Sequence, residues 1–204
     1  MLPYPRPIVT SPELSATSPL REFDGRDPAL LEAAERCRQT LARANGDPAL
    51  TLAERQTIIG NLLADSGEGV WIETPFTCEF GIHLQIGART FVNRGCQFLD
   101  TAVITIGADV LIGAGVQILT ASHPVHPDDR HRGADRTPGE APYRTLVAPV
   151  HIGDRAWIGA GAIIMAGVTI GAGSTVGAGS IVTRDIPPMV VALGQPARVV
   201  RRLE

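Results

Sequence analysis

The sequence predicts an all-β solenoid preceded by a short α-helical segment. Three observations carry this. Aliphatic residues recur every six positions at Ile152, Ile158, Ile164, Ile170, Val176 and Val182. Gly follows at 153, 159, 171 and 177, and the fourth position after each aliphatic is mostly small: Ala156, Ala162, Val168, Ser174, Ser180, then Ile186. Aromatic content is 4%, while Gly numbers 22 and Pro 16, so a core must come from Ile, Val, Leu and Ala with many turns. A period of six fits neither a helix nor an alternating strand. It fits flat faces, each with one inward aliphatic and one small inward residue, then a corner. Three faces close a coil, and coils stack about 4.8 Å apart. Gly beside the aliphatic lets the chain turn without a Cβ clash. A β-sandwich with Gly-rich turns is the alternative, and the unbroken hexads argue against it.

The remaining elements follow in chain order. Residues 1–20 carry five prolines with Ser and Thr, which predicts an extended or disordered arm. Residues 21–68 predict a helical segment. Its first helix has Asp27 as N-cap, Pro28 at the first position, Asn45-Gly46 at the end, and a stripe of Leu30, Ala34, Cys37 and Leu41. Its second starts on a Thr51/Glu54 capping box, presents Leu52, Ile58, Ile59, Leu62 and Leu63, and ends at Ser66-Gly67. The solenoid is expected over 69–187. Ile106, Ile112 and Ile118 carry the same beat, with Gly107 and Gly113 beside the first two. Ile86, Val92 and Phe98 form a looser version, separated from Ile106 by two extra residues. Between them and the last coils, residues 124–149 form an excursion with five prolines. Residues 188–204 are a C-terminal tail.

Net charge is −3 and no Lys occurs, so neither a nucleic-acid partner nor a membrane surface is expected. The three cysteines, Cys37, Cys78 and Cys96, are widely spaced without a CxxC, which points away from a disulfide framework or zinc site. With no apolar run of membrane-spanning length and no leader-like apolar start, a soluble cytoplasmic protein is expected.

The repeat breaks at a histidine. Ile106 to His123 is one eighteen-residue coil, so His123 falls on a corner where the excursion departs. A neutral imidazole there can take a proton from an alcohol at neutral pH; a plain loop histidine before Pro124 fits the residues equally. Asn93 can donate to a developing oxyanion or be an ordinary corner Asn. Glu79 and Asp100 are carboxylates suited to accept hydrogen bonds from hydroxyl groups of a bound molecule. Arg184, Arg198 and Arg201 follow the last coils; guanidinium forks suit phosphates, and a solvated basic terminus reads the same way. Trp157 either walls a groove or is an exterior aromatic.

The stretch IGDRAWIGAGAIIMAGVTIGAGSTVGAGSIVTRDIPPMVVALGQPARVV resembles the hexapeptide-repeat acyltransferases. PFTCEFG, FVNRGCQFLD, TASHPV and the helical DPALLEAAERCRQTLARAN resemble the maltose and galactoside O-acetyltransferase group, which includes nodulation-type acetyltransferases. The resemblance covers about residues 22–204. It implies a left-handed parallel β-helix, a homotrimer with active sites between subunits, and acetyl-CoA as donor to a sugar hydroxyl without a metal. It makes His123 the general base and puts Asn93 near the donor thioester. Ala160, Ala178, Thr183, Arg184, Arg198 and Arg201 fall on coenzyme-contacting positions. Glu79 stands where relatives have Asp or Ser. The galactoside enzymes' substrate Asp falls at Thr101 rather than Asp100, and their arm Asp at Gly25 rather than Asp24. A serine- or antibiotic-acetylating enzyme is the nearer alternative. A zinc hydrase on the same fold, using His126 and His131, and a non-catalytic scaffold are the more distant ones.

Overall fold

The computed structural model describes residues 20–134 and 136–204; the arm expected over 1–20 lies almost wholly outside them. The hexads form a parallel β-helix with three sheets, one per face. The first face stacks Asp65–Ser66, Leu84–Ile86, Ile104–Ile106, Val150–Ile152 and Thr169–Ile170. The second stacks Trp71–Ile72, Phe91–Val92, Leu111–Ile112, Trp157–Ile158, Thr175–Val176 and Val190–Gly194, closed by Ala197–Arg202. The third stacks Thr77–Cys78, Gln97–Leu99, Gln117–Leu119, Ile163–Ile164 and Ile181–Val182.

Register puts like on like. Ile86, Ile106, Ile152 and Ile170 form one inward column. Ile72, Val92, Ile112, Ile158, Val176 and Ala192 form another. All of these side chains are buried. A coil cannot bury its interior alone, so the stack itself is the core. Buried hydroxyls in the small positions are satisfied: Ser174 Oγ donates to the Pro187 carbonyl at 2.6 Å, and Ser180 Oγ accepts from Gly194 N–H at 3.1 Å.

Glycine beside the aliphatic is a packing requirement at Gly113. A Cβ there would stand 2.5 Å from Ala160 N of the next coil, and that backbone cannot swing aside. Gly113→Ala is therefore expected to cost about 1–3 kcal/mol, read as a lower urea midpoint with an unchanged slope.

Two helices close the lower end. Helix α1, Pro28–Gly46, is N-capped by Asp27, and α2, Leu52–Leu62, starts on the full Thr51/Glu54 capping box. Cys37, Leu41, Ala44, Ile59 and Leu63 join the solenoid core. The first coil would otherwise leave an open sheet edge, a template for pairing. Two side-chain amides occupy it. Asn45 donates to the Phe76 carbonyl (2.8 Å) and accepts from its N–H (3.1 Å). Gln56 does the same for Ile72, at 2.8 and 2.9 Å.

Some boundaries differ from the sequence reading. Helix α2 stops at Leu62, not at Ser66-Gly67, because Asp65–Ser66 already pairs with Gln85–Ile86. The buried stripe of α1 runs through Ala33, Cys37, Leu41 and Ala44, with Leu30 and Ala34 only half-buried. Five prolines in the excursion predict that it takes no place in a ladder, yet its proline-free Thr145–Val147 pairs with Ala121–Ser122 on one side and Arg21–Phe23 on the other. The tail folds as the hairpin Val190–Gly194/Ala197–Arg202. Among the described residues, no helix is long and apolar enough to cross a membrane.

Candidate active site

The early coils are wider than the late ones. Ile86 aligns with Ile106, twenty residues on, whereas Ile152 aligns with Ile170, eighteen on. The two extra residues fall between the third and first faces, after Cys78 and again after Phe98. They build a shelf on that edge. Asp100 turns inward and is fully buried; its Oδ1 accepts the N–H groups of Glu79 (2.8 Å) and Phe80 (2.9 Å). The tight turn needs that acceptor, so Asp100 serves here as a brace for Glu79, and its Oδ2 has no partner among the described residues. Glu79 is half-buried, and its Oε2 accepts from Thr101 Oγ1 at 2.6 Å.

His123 stands on the same edge at the end of Ala121–Ser122, where the excursion leaves. The imidazole is exposed. Its Nδ1 lies 2.7 Å from the Arg144 carbonyl. A carbonyl only accepts, so Nδ1 carries the proton, and Nε2 is the ring nitrogen left to take one. Tyr143 packs edge-on against the ring, centroids 5.3 Å apart at 84°. Thr183 and Arg184 lie on this edge too, exposed, directly after Ile181–Val182.

Asn93, Ala160 and Ala178 lie on a different edge, between the second and third faces. Asn93 follows Val92, whose column continues through Ile112, Ile158 and Val176. Ala160 and Ala178 are exposed and stacked, with Gly179 N–H donating to the Ala160 carbonyl at 2.8 Å. Asn93 Oδ1 accepts from Arg94 N–H at 2.8 Å; that bond identifies the oxygen end of the amide and leaves Nδ2 to donate. Arg198 and Arg201 sit exposed on the terminal hairpin. One chain thus gathers His123, Glu79, Asp100, Thr183 and Arg184 on one edge, and Asn93, Ala160 and Ala178 on another.

The thiols are poor nucleophiles. Cys37 and Cys96 are buried. A hydrogen bond with the Cys37 thiol and burial push the Cys78 thiol far up, and burial pushes Cys96 up to about 11. His126 and His131 stay exposed in the excursion; His126 Nδ1 accepts from Asp128 N–H at 3.3 Å, and among the described residues no trio of His, Cys, Asp or Glu could hold a metal ion. Sequence reasoning missed the Arg144 carbonyl and the carboxylates and guanidiniums around it, since nothing in the local sequence pairs residues so far apart.

Residues 149–184 match the family described as bacterial transferase hexapeptide (six repeats). Nodulation protein L of Rhizobium meliloti (strain 1021) is 47% identical over 137 residues, 67% of this chain and 69% of that one. Galactoside O-acetyltransferase of Escherichia coli (strain K12) is 39% identical over 150 residues, 74% of this chain and 69% of that one. A hexapeptide-repeat acetyltransferase of Vibrio cholerae O1 biovar eltor, solved with acetyl coenzyme A, superposes with a TM-score of 0.79 at 37% identity, covering 89% and 93% of the two chains. The fold and these likenesses define a hexapeptide-repeat transferase. Within that class, the chain belongs to the acetyltransferase family of nodulation protein L and galactoside O-acetyltransferase.

Proposed function

We propose that the protein transfers an acetyl group from acetyl-CoA to a sugar hydroxyl, with His123 as general base and the site built between subunits of a homotrimer. The observation that carries this is the contact of His123 Nδ1 with the Arg144 carbonyl at 2.7 Å, which assigns the proton to Nδ1 and leaves Nε2 as the acceptor. Nε2 takes the proton of the acceptor hydroxyl as its oxygen attacks the thioester carbon. Asn93 Nδ2 donates to the oxyanion of the tetrahedral intermediate. Collapse breaks the C–S bond, and the imidazolium returns its proton to the leaving thiolate. No enzyme-bound acetyl group is required, in keeping with the shielded thiols. Positioning of the two substrates supplies the rest of the acceleration.

The split between edges supports the trimer. A closed three-fold ring sets one edge of each copy against a different edge of its neighbour, so Asn93, Ala160 and Ala178 of one chain would face His123, Thr183 and Arg184 of the next. The second face has a largely apolar outer row to bury: Trp71, Phe91, Leu111 and Trp157 stack in register, followed by Thr175 and Val191, with Leu111 52% and Trp157 55% exposed. The donor would lie in the groove between copies. The small side chains of Ala160 and Ala178 leave its main chain approachable, and Arg184, Arg198 and Arg201 face its phosphates. On the acceptor side, Glu79 takes hydrogen bonds from sugar hydroxyls, oriented by Thr101 and braced by Asp100.

The test is release of coenzyme A thiol from acetyl-CoA in the presence of galactosides, maltose, serine or aminoglycosides. Thiol release that depends on a sugar is expected. Release with serine or an aminoglycoside alone would replace the acceptor; no release above hydrolysis with any of them would remove the activity.

A further inference from the structure

We propose that Arg132 is a positioning residue for the base. Its guanidinium clasps the strand Arg21–Phe23 to the excursion and so holds the Arg144 carbonyl against His123 Nδ1. The inference rests on reading His123 as the base.

The excursion is folded on itself. His131 and Tyr143 form an antiparallel bridge. Arg132 N–H donates to the Pro142 carbonyl at 2.9 Å, and Arg144 N–H donates to the Arg130 carbonyl at 2.8 Å. This ribbon carries both groups that touch the imidazole: the Arg144 carbonyl and the Tyr143 ring. The three-stranded ladder anchors it only from Thr145 onward, and a two-stranded ribbon is marginal by itself in water, so side chains must steady the part before it.

Arg132 does so from inside. Its Nη2 donates to Glu22 Oε1, and its Nη1 stands 3.5 Å from Glu140 Oε1. Two further guanidiniums lean on the same carboxylates. Arg26 reaches Glu140 at 3.9 Å, and Arg144 reaches Glu22 at 3.9 Å. The Arg132 and Glu140 side chains are only 21% and 19% exposed, so salt screens this pair less than an open surface pair. Glu22 in turn belongs to the strand whose Phe23 ring lies 6.4 Å from Phe80, the residue after Glu79. One guanidinium therefore ties the base's hydrogen-bond partner to the strand that covers the shelf. A planar fork holds two carboxylates in fixed directions, whereas an ammonium is a point charge with freely rotating donors.

Arg132→Ala, Arg132→Lys and Glu22→Gln in the full chain test this, with kcat, KM for acetyl-CoA, thermal stability and ring-nitrogen NMR of His123. In Arg132→Ala, kcat should fall about tenfold to a hundredfold, the scale of misplacing a reacting group by about 1 Å. KM for acetyl-CoA should hold, and the His123 ring should drift from a single tautomer to a mixture. Glu22→Gln should move both readouts the same way, and Arg132→Lys should recover part of each. Unchanged kcat and tautomer in Arg132→Ala, with His123→Ala inactive, overturns the positioning role and leaves the base intact. A lower melting temperature with kcat and tautomer preserved also overturns it, because Arg132 would then be structural only. If His123→Ala itself stays active, the base reading falls and this inference falls with it.

Discussion

His123→Ala is expected to lower kcat by about 10²–10⁴-fold, the usual worth of general-base help, with KM for acetyl-CoA little changed. The imidazole is exposed and contributes nothing to the buried columns. Its loss should leave the coil, the melting temperature and the assembly as they were. What it removes is the proton acceptor at the point where a sugar hydroxyl, weakly nucleophilic at neutral pH, must attack. The two Arg144 roles separate here. Its carbonyl should matter through His123 alone, so replacing the Arg144 side chain, which keeps the carbonyl, should cost far less than removing the imidazole. Steady-state kinetics on the purified variant, with sizing as the folding control, decide the matter. Near-wild-type turnover in His123→Ala would falsify the mechanism.

Asn93→Ala is expected to cost about 10²–10³-fold in kcat, as for other single oxyanion donors. The more telling result comes from mixing. Asn93 and His123 stand on different edges of one coil stack, so each site would take its Asn from one subunit and its His from the next. Chains carrying Asn93→Ala and His123→Ala, co-expressed in equal amounts, should assemble randomly. About one interface in four then receives both intact side chains, because the contact in a three-fold ring is head-to-tail. Recovery to about a quarter of wild-type activity is expected from two variants each nearly inactive alone. No recovery above the parents would mean that each site is built within one chain.

The parts of this protein that the sequence spells out are those governed by a local period. The hexads from Ile152 to Val182 name their own columns, and the capping residues Asp27, Thr51 and Glu54 name their helix starts. His123 is legible because it interrupts a rhythm. The shelf is legible only in part. The two surplus residues before Ile106 are visible as a slackening of the repeat, but nothing in the count says that they face Glu79 and Asp100 to one edge. The side chain of Asp100 reads as a ligand-facing carboxylate and is instead buried, because two backbone N–H groups in the tight turn required an acceptor. The clasp was not legible at all. Glu22, Arg132 and Glu140 meet through tertiary folding across more than a hundred residues of chain, and charged residues in a proline-rich loop look like solvated surface until the strand that covers them is in place.

The amide pairs of Asn45 with Phe76 and Gln56 with Ile72 bear on how long such a molecule is. A column of identical rungs contains no instruction to stop. Each rung is satisfied by the next, and its last one is as ready to accept a stranger as a sibling. Length is therefore a property of the termini. At the lower end, two side-chain carboxamides mimic the peptide groups of a missing rung, and the helices that carry them cannot extend the ladder. The same chemistry that would propagate the stack is used to terminate it, so the finite particle is defined by two imitations of itself.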